Sequence, residues 1–166
     1  MTEPAAPEPP GRTTEDPQEF RDSAAGPGRL IGIDAGTKTL GLALSDVRRT
    51  IASSLETIRR TKFKADAERL LFLIAEHQVT GLVLGLPRNM DGTEGPRAQA
   101  TRALARNLNK LSPLPILLWD ERLTTAEAQR MLIDADQTRK RRAEVIDKLA
   151  ATIILQSALD RFNHKA

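Results

Sequence analysis

The stretch LIGIDAGTKTLGLALSD, residues 30–46, places one acidic side chain at the end of an apolar run. Residues 30–33 are typical of a buried strand, and Asp34 follows them directly. A glycine-containing turn over 36–39 leads into a second strand, in which Leu40, Leu42 and Leu44 alternate with smaller residues. Because so short a turn joins antiparallel neighbours, the stretch predicts a β-hairpin with Asp34 at the end of its first strand.

An aspartate in this position is compatible with three roles. It could cap the turn through side-chain hydrogen bonds. It could hold the phosphates of a nucleotide through a metal ion, or it could hold a metal ion that cuts nucleic acid. The hairpin alone does not distinguish these roles.

The rest of the chain continues with alternating apolar segments of strand and helix type. The hydrophobic patterns predict strands over 29–35, 40–44, 51–58, 80–87 and 115–120, and helices over 64–77, 95–111, 124–136 and 143–162. An opening meander followed by alternating helices and strands predicts an α/β fold with a mixed five-stranded sheet and helices on both faces.

The N-terminal segment, residues 1–28, differs from the rest in composition. It contains six of the ten prolines and has a net charge of −4, which leaves +7 for residues 29–166. A proline-rich acidic segment buries too little apolar surface to offset its ordering entropy, so we predict disorder there. We predict a single domain over 29–166, and its positive charge favours a polyanionic partner.

Composition also excludes several classes of protein. The chain has no cysteine, which excludes disulfides, thiolate zinc sites and a cysteine nucleophile. It has no apolar stretch of membrane-spanning length, and its first residues lack the apolar region of a secretory signal. We therefore expect a soluble cytoplasmic protein with no membrane partner.

Three acidic residues are predicted to meet at one edge of the sheet. Ligands of such sheets bind beyond the carboxyl ends of the parallel strands. Asp34 ends the first strand, Glu121 follows the strand over 115–120, and Asp147 shares one face of the helix over 143–162 with several alanines. An acid on a face that packs against a sheet is normally paired, neutralised or bound to metal.

Each acid alone is compatible with an ordinary structural role. Asp34 could cap a turn, and Glu121 could form an ion pair with Arg122. Asp147 could be stabilised by the helix dipole. Their convergence favours a metal site, and an all-oxygen set suits Mg²⁺ or Mn²⁺. Two such ions about 4 Å apart would activate water and stabilise the leaving oxygen in phosphodiester hydrolysis.

Four motifs occur in order and together resemble the YqgF/RuvX family of RNase H-like nucleases. They are GIDAGTKTLGLALSD (32–46), LVLGLPRNMDGTEGPRA (82–98), WDERLTTAEA (119–128) and DKLAATIILQSALD (147–160). The resemblance implies an RNase H-like fold related to the RuvC Holliday junction resolvases. It also implies that Asp34, Glu121 and Asp147 are the first, second and third catalytic and metal-binding acids.

The resemblance implies a nuclease that processes the 5′ end of the precursor of 16S ribosomal RNA in ribosome biogenesis. A Holliday junction resolvase acting in DNA recombination and repair is the alternative function implied for the same family. Resolution requires paired symmetric cuts and therefore a homodimer, for which the sequence shows no clear interface signature.

Basic and amide side chains near these motifs are candidates for contacts with the substrate backbone, although each one alone is compatible with a solvated surface. They are Lys38, Arg88, Asn89, Arg97, Arg122, Arg139, Lys140, Arg141 and Arg142. Aromatic residues make up only 3% of the chain, which argues against base stacking as the main mode of recognition. We expect recognition of backbone and shape in a structured RNA or a branched DNA.

Two other classes of protein compete with a nuclease. Actin-like nucleotide-binding proteins also open with an Asp-x-Gly-Thr hairpin, but they enclose the nucleotide between two such domains. Residues 29–166 have room for one domain, and an actin-like function leaves Asp147 without a role. The second competitor is a binding module without catalytic activity, in which the acids are structural.

Overall fold

The fold is described from a computed structural model, which covers residues 11–124 and 139–164, with side chains for 11–124 and 149–164. Its elements are, in chain order, β1 (Thr13–Thr14), α1 (Pro17–Ser23), β2 (Arg29–Ala35), β3 (Thr39–Ser45), β4 (Ala52–Arg59), α2 (Phe63–Glu76), β5 (Val79–Leu86), α3 (Pro96–Asn109), β6 (Ile116–Asp120) and α4 (Arg139–Asn163). The strands form one mixed sheet in the order β1-β6-β5-β2-β3-β4.

Strand β2 lies inside the sheet and sets its register. It pairs in parallel with β5, where Ile33 lies opposite Leu84, and antiparallel with β3, where Asp34 lies opposite Gly41. β5 pairs in parallel with β6 up to Leu86 and Asp120. The carboxyl ends of β2, β5 and β6 therefore lie at one edge of the sheet.

Alternation along the strands divides the core into two layers. Ile31 and Ile33 of β2 belong to the cluster that packs with α2 and α3 on one face of the sheet. Leu30 of β2, Val83 of β5 and Leu117 of β6 belong to the cluster that packs with α1 and α4 on the other face. Helices on both faces explain why β2 and β5 are apolar on both sides.

The predicted fold class is confirmed, and the sheet differs from the prediction in its strand number. All five predicted strands are present, with ends within one or two residues of the prediction. The sixth strand is β1, whose two residues Thr13 and Thr14 pair in parallel with Ile116 and Leu117. A strand of two residues has no hydrophobic pattern to detect. The predicted number of five strands was therefore too low by one.

The predicted disorder of residues 1–28 is wrong for the part that forms β1 and α1. Asp16 caps α1 by accepting a hydrogen bond from the backbone N–H of Gln18 at 3.0 Å. Phe20 is fully buried, and its ring stacks on Phe162 of α4 with the ring centres 5.9 Å apart. The average composition of the segment concealed this single aromatic anchor. Residues 1–10 lie outside the described part of the chain.

The four predicted helices complete the comparison with the sequence patterns. The helices predicted over 64–77 and 95–111 are confirmed as α2 and α3. The last helix begins at Arg139 rather than at residue 143, so the basic run 139–142 belongs to the helix. The helix predicted over 124–136 falls almost entirely on residues 125–138, outside the described part.

No helix in the described ranges is long and apolar enough to cross a membrane.

Replacing Phe20 by alanine should lower the free energy of unfolding by about 3–5 kcal/mol, because a fully buried ring is lost and its space cannot close completely. The ring lies so close to β5 that a Cβ on Gly81 would be 2.8 Å from its Cζ atom. Urea denaturation followed by circular dichroism measures this change.

Phe72→Ala is the matched control, because the side chain of Phe72 is 54% exposed. We expect this variant to lose about 1 kcal/mol or less, mainly through its contact with the Arg69 guanidinium, 5.1 Å from the ring centre. Equal losses in the two variants would show that α1 does not stabilise the fold.

Candidate active site

Asp34 lies at the carboxyl end of β2, on the face of the sheet that α4 covers. Leu30, Gly32 and Asp34 alternate along one side of β2, because successive side chains of a strand point to opposite faces. A Cβ on Gly32 would lie 2.7 Å from Cβ of Leu155 and 3.0 Å from the carbonyl oxygen of Ala151. The face that carries Asp34 is thus in close contact with α4.

Glu121 follows β6 and reaches over β5 on the same face. Its backbone N–H donates to the carbonyl of Leu86 at 3.1 Å. A Cβ on Gly85 of β5 would lie 2.6 Å from Oε1 of Glu121 and 2.6 Å from Cδ1 of Ile154 in α4. Gly85 is one residue beyond the Leu84–Ile33 pair, so the Glu121 carboxylate lies over the strand that separates β6 from Asp34.

The two acids are electrostatically coupled. The pKa of Glu121 is raised from its ordinary value of 4.5 to about 7, mainly by burial and next by the negative charge of Asp34. The nearby guanidinium of Arg97 opposes this shift, and the charge of Asp120 adds to it. When a buried carboxyl group lies beside a second acid, a bound cation would stabilise its ionised form.

Asp147, the third predicted acid, is placed only by its backbone. It lies in α4 one helical turn before Ala151, whose Cβ is 3.8 Å from the position a Cβ would take on Gly41. The side chain of Asp147 and those of Arg139, Lys140, Arg141 and Arg142 lie outside the described part. Among the side chains that the structure does describe, no three acids or histidines are grouped as a metal site.

The oxygen chemistry of the described acids fits a hard divalent cation. Asp34 and Glu121 supply only carboxylate oxygens, the ligand type that Mg²⁺ and Mn²⁺ prefer. The raised pKa of Glu121 reflects burial and repulsion that a bound cation would offset. Asp34 and Glu121 therefore form two parts of a candidate metal site.

Two arginines support the backbone around Asp34. Arg97 of α3 donates from Nη2 to the carbonyl of Ala35 at 3.0 Å. Arg60 donates from Nη1 to the carbonyl of Gly36 at 2.7 Å, and its backbone N–H donates to the carbonyl of Lys38 at 2.9 Å. The side chain of Lys38 is exposed at the tip of this turn. Arg97 and Lys38 are thus predicted substrate contacts that belong to or touch the backbone directly after Asp34.

Arg88 belongs to a network of ion pairs. Its guanidinium contacts Glu94 at 3.3 Å, Asp120 at 3.4 Å, and Glu15 from the N-terminal segment. Arg102 contacts Glu94 at 2.6 Å and Glu15 at 3.3 Å. Hydrogen bonds from Arg102 lower the pKa of Glu94 to about 2. The charge of Arg88 is therefore largely balanced within the protein.

Arg122 and Asn89 have local partners as well. The Nη2 atom of Arg122 donates to Oδ2 of Asp120 at 2.6 Å, next to the backbone of Glu121. Asn89 donates from Nδ2 to Oγ1 of Thr93 at 2.9 Å and so shapes the loop after β5. These hydrogen bonds stabilise the backbone conformation around Glu121 and in the loop after β5.

Sequence reasoning missed several residues that shape the site. Gly85 leaves room for the Glu121 carboxylate, and a glycine inside an apolar strand is a signal of such close approach. Asp120 anchors Arg88 and Arg122. Arg60 and Asp120 carry no comparable signal in the sequence. Arg60 bonds the turn at Gly36, which lies 24 residues earlier. Asp120 pairs with Arg88, from a distant segment, and with Arg122, through a local turn that the sequence does not show.

A family profile described as "RuvX: Holliday junction resolvase" matches residues 28–161. A protein of Paracoccus denitrificans named "Putative pre-16S rRNA nuclease" is 58% identical over 147 residues, which are 89% of this chain and 93% of the relative. A protein of Rhodobacter capsulatus with the same name is 61% identical over 137 residues, covering 82% and 86% of the two chains.

Two solved structures share the fold. RuvC of T. thermophilus in complex with a Holliday junction substrate aligns with a TM-score of 0.54 and 11% identity, over 81% of this chain and 96% of RuvC. A second structure of Thermus thermophilus RuvC gives a TM-score of 0.51 and 14% identity, over 81% and 95%. At these identities the comparison supports the RNase H-like fold and no residue role.

In the absence of divalent cations, wild-type stability should fall as the pH rises from about 4.5 to above 7. The Glu121 carboxyl has a pKa of about 7 in the folded chain and about 4.5 when unfolded, so the folded state binds more protons in this window. We expect Glu121→Gln to remove this loss, which is about 3 kcal/mol.

Urea denaturation with a chelator at several pH values measures the unfolding free energies of the wild type and the variant. The two curves should diverge between pH 4.5 and 7, with the wild type losing stability relative to the variant. Parallel curves would contradict the buried, coupled state of Glu121.

Proposed function

Because the chain belongs to the RuvX family, we propose that it is a metal-dependent nuclease that processes the 5′ end of the precursor of 16S ribosomal RNA. The observation that carries this proposal is the coupling of Asp34 and Glu121 over Gly85 at the edge where the parallel strands end. The relatives that are 58% and 61% identical bear the name of a pre-16S rRNA nuclease, which supports RNA as the substrate.

We propose that Asp34, Glu121 and Asp147 hold Mg²⁺ or Mn²⁺. The all-oxygen donors and the repulsion between the described acids support this choice. Two bound cations would supply Lewis acids that activate water and stabilise the leaving oxygen of the phosphodiester. Asp147 is included because of its backbone position in α4, one helical turn before Ala151, which packs over Gly41.

The basic side chains around the acids differ in whether carboxylates of the protein already pair with them. Lys38 is exposed on the turn after Asp34, and Arg97 is exposed beside Ala35 with one of its N–H groups bonded to the backbone. Arg88 and Arg122 are instead held by carboxylates. We therefore propose that Lys38 and Arg97 contact the phosphates nearest the cleaved bond.

The other predicted contacts have secondary roles in this proposal. Arg88, Asn89 and Arg122 shape the loops around Glu121, and they would contact substrate only by exchanging protein partners for phosphate. The basic run 139–142 stays a predicted phosphate contact at the start of α4.

Holliday junction resolution is the second candidate function. The description of the matching family profile favours it, and the RuvC fold is compatible with it. Resolution would require a homodimer that places two sites symmetrically on one junction. Membership of the RuvX family favours both nuclease functions over an actin-like nucleotide-binding module.

Asp34→Asn should lower the cleavage rate by on the order of 100-fold or more, because it removes a carboxylate charge from the proposed metal site while keeping the side-chain shape. The assay incubates the full chain with a 5′ fragment of the 16S rRNA precursor, a four-way DNA junction and a linear duplex, each with Mg²⁺ or Mn²⁺.

Asp160→Asn is the matched control, because Asp160 is an exposed aspartate in the last turns of α4 and bonds Gln156. It should cleave like the wild type. Cleavage of the RNA fragment alone supports RNA processing, and paired cuts in the junction alone support resolution. If Asp34→Asn cuts as fast as the wild type, the proposed chemistry is wrong.

Gly85→Ala should lower the cleavage rate by about tenfold or more with little loss of stability. The new methyl group would overlap the Glu121 carboxylate and the end of Ile154, and both of these are side-chain ends that can move. A displacement of about 1 Å in a catalytic group can cost up to about 100-fold in rate. Thermal unfolding and single-turnover cleavage separate the two effects.

Gly41→Ala is the control for this substitution, since Gly41 lies opposite Asp34 in β3. Among the described side chains, its new Cβ would meet Ala151 and Asp34 at 3.8 Å, which is an ordinary contact. We expect cleavage within about twofold of the wild type. Equal rate losses in both variants would argue against a specific role for the space over Gly85.

A further inference from the structure

A polar cavity lies at the opposite edge of the sheet from Asp34. Its volume is about 330 Å³, and it is lined chiefly by Arg21, Arg48, Arg49, Asn163, Val47 and Phe162. These residues come from α1, from the turn between β3 and β4, and from the end of α4. Three arginines thus converge on one cavity from two distant parts of the chain.

None of these three arginines forms a salt bridge with the residues that the structure describes. Arg49 donates from Nε to the carbonyl of Gly28 at 2.8 Å and from Nη2 to Oγ1 of Thr80 at 2.9 Å, and both acceptors are neutral. Burial lowers the pKa of Arg49, and the positive charge of Arg21 lowers it further. The cavity therefore concentrates positive charge that no salt bridge among the described residues balances.

The acid nearest to Arg48 and Arg49 in the sequence, Asp46, is directed away from them. Asp46 accepts hydrogen bonds from the side chain of Thr50 at 2.6 Å and from the backbone N–H of Ile51 at 3.0 Å. These bonds, with that of Thr50 the strongest, lower the pKa of Asp46 to about 2. Its carboxylate stabilises the turn that carries Arg48 and Arg49.

The position of Arg49 is held by the tertiary structure. Its backbone has φ = 58°, in the left-handed region that is unfavourable for residues other than glycine. Asn163 donates from Nδ2 to the carbonyl of Arg49 at 2.9 Å, which fixes the turn to the end of α4. The guanidinium is therefore presented from a rigid support.

This cavity is separate from the candidate active site. Gly28 precedes β2 and Asp34 lies near its end, so about 20 Å of strand lies between them. Arg21, Phe162 and Asn163 fall outside residues 28–161, the range of the family profile. The cavity thus combines the family domain with segments on either side of it.

We propose that this cavity is a binding site for a phosphate group, held by Arg21, Arg48 and Arg49. Guanidinium groups match the oxygens of phosphate with paired hydrogen bonds, and three of them facing one cavity favour a multiply charged anion. The phosphate is either free in solution or part of a nucleic acid backbone. The site does not depend on the proposed nuclease activity.

The test uses the full chain and the double variant Arg21→Gln/Arg48→Gln. Both side chains are exposed, and Arg49 is left in place because it bonds Gly28 and Thr80. Isothermal titration with inorganic phosphate at constant ionic strength measures the free anion. Fluorescence anisotropy with a single-stranded RNA of about 20 nucleotides measures the backbone phosphate.

We expect the double variant to bind at least one of the two probes about tenfold or more weakly. Weaker binding of inorganic phosphate identifies a free anion as the ligand. A loss confined to RNA identifies backbone phosphate, and the slope of log affinity against log salt should then fall by about 1.4.

Arg106→Gln/Lys110→Gln is the matched control, because it removes the same charge from exposed positions around the end of α3. It should change binding by no more than about twofold. Val47→Glu gives an independent check, since it adds a negative charge to an exposed residue that lines the cavity. It should weaken the same probe as the arginine variant does.

Equal behaviour of the two double variants with both probes would overturn the proposal. Asp34→Asn should retain the binding of phosphate or RNA at this cavity whether or not it abolishes cleavage. The binding measurements and the cleavage measurements therefore test the two proposals separately.

Discussion

The close approach of α4 to β2 is the constraint on which the rest of the structure depends. Gly32 has no side chain, and a Cβ there would overlap Leu155 and the backbone of Ala151. The helix can therefore lie directly on the strand that carries Asp34, and Ile154 of the same helix packs beside Glu121 over Gly85. One packing contact thus fixes the face of the sheet on which the acids meet and brings the position of Asp147 toward them.

Charge is distributed unevenly around this core. At the carboxyl edge, Asp34 and Glu121 repel each other in a partly buried setting, while Asp120 and Glu94 are stabilised by arginines. Glu15 joins the second group, so the N-terminal segment contributes to the loops around the candidate site. At the other edge, the three arginines of the cavity between α1 and α4 have no carboxylate partner among the described residues. A metal ion would offset the negative charge of the acids, and a phosphate would offset the positive charge of the three arginines.

The N-terminal segment shows where composition misleads. Its prolines and acids predict disorder, because on average such a segment buries little apolar surface. Phe20 alone reverses that expectation for α1, since its ring fills the space over Gly81 and stacks on Phe162. The contribution of one aromatic side chain to stability depends on the cavity that it fills. The cavity for Phe20 is formed by β5 and α4, which are distant in the sequence, so a local pattern does not reveal it.

The amino-acid sequence alone predicts the alternation of strands and helices and the β-hairpin whose first strand carries Asp34 near its end, and it contains the family motifs. These are local properties, because hydrophobic periodicity and turn residues act over a few positions. The folded structure was needed to establish that Glu121 lies over Gly85 and is coupled to Asp34, that Arg88 is held by carboxylates, and that Arg21 lies near Arg49. These are relations between segments far apart in the chain, and their energies depend on distance and burial that exist only after folding.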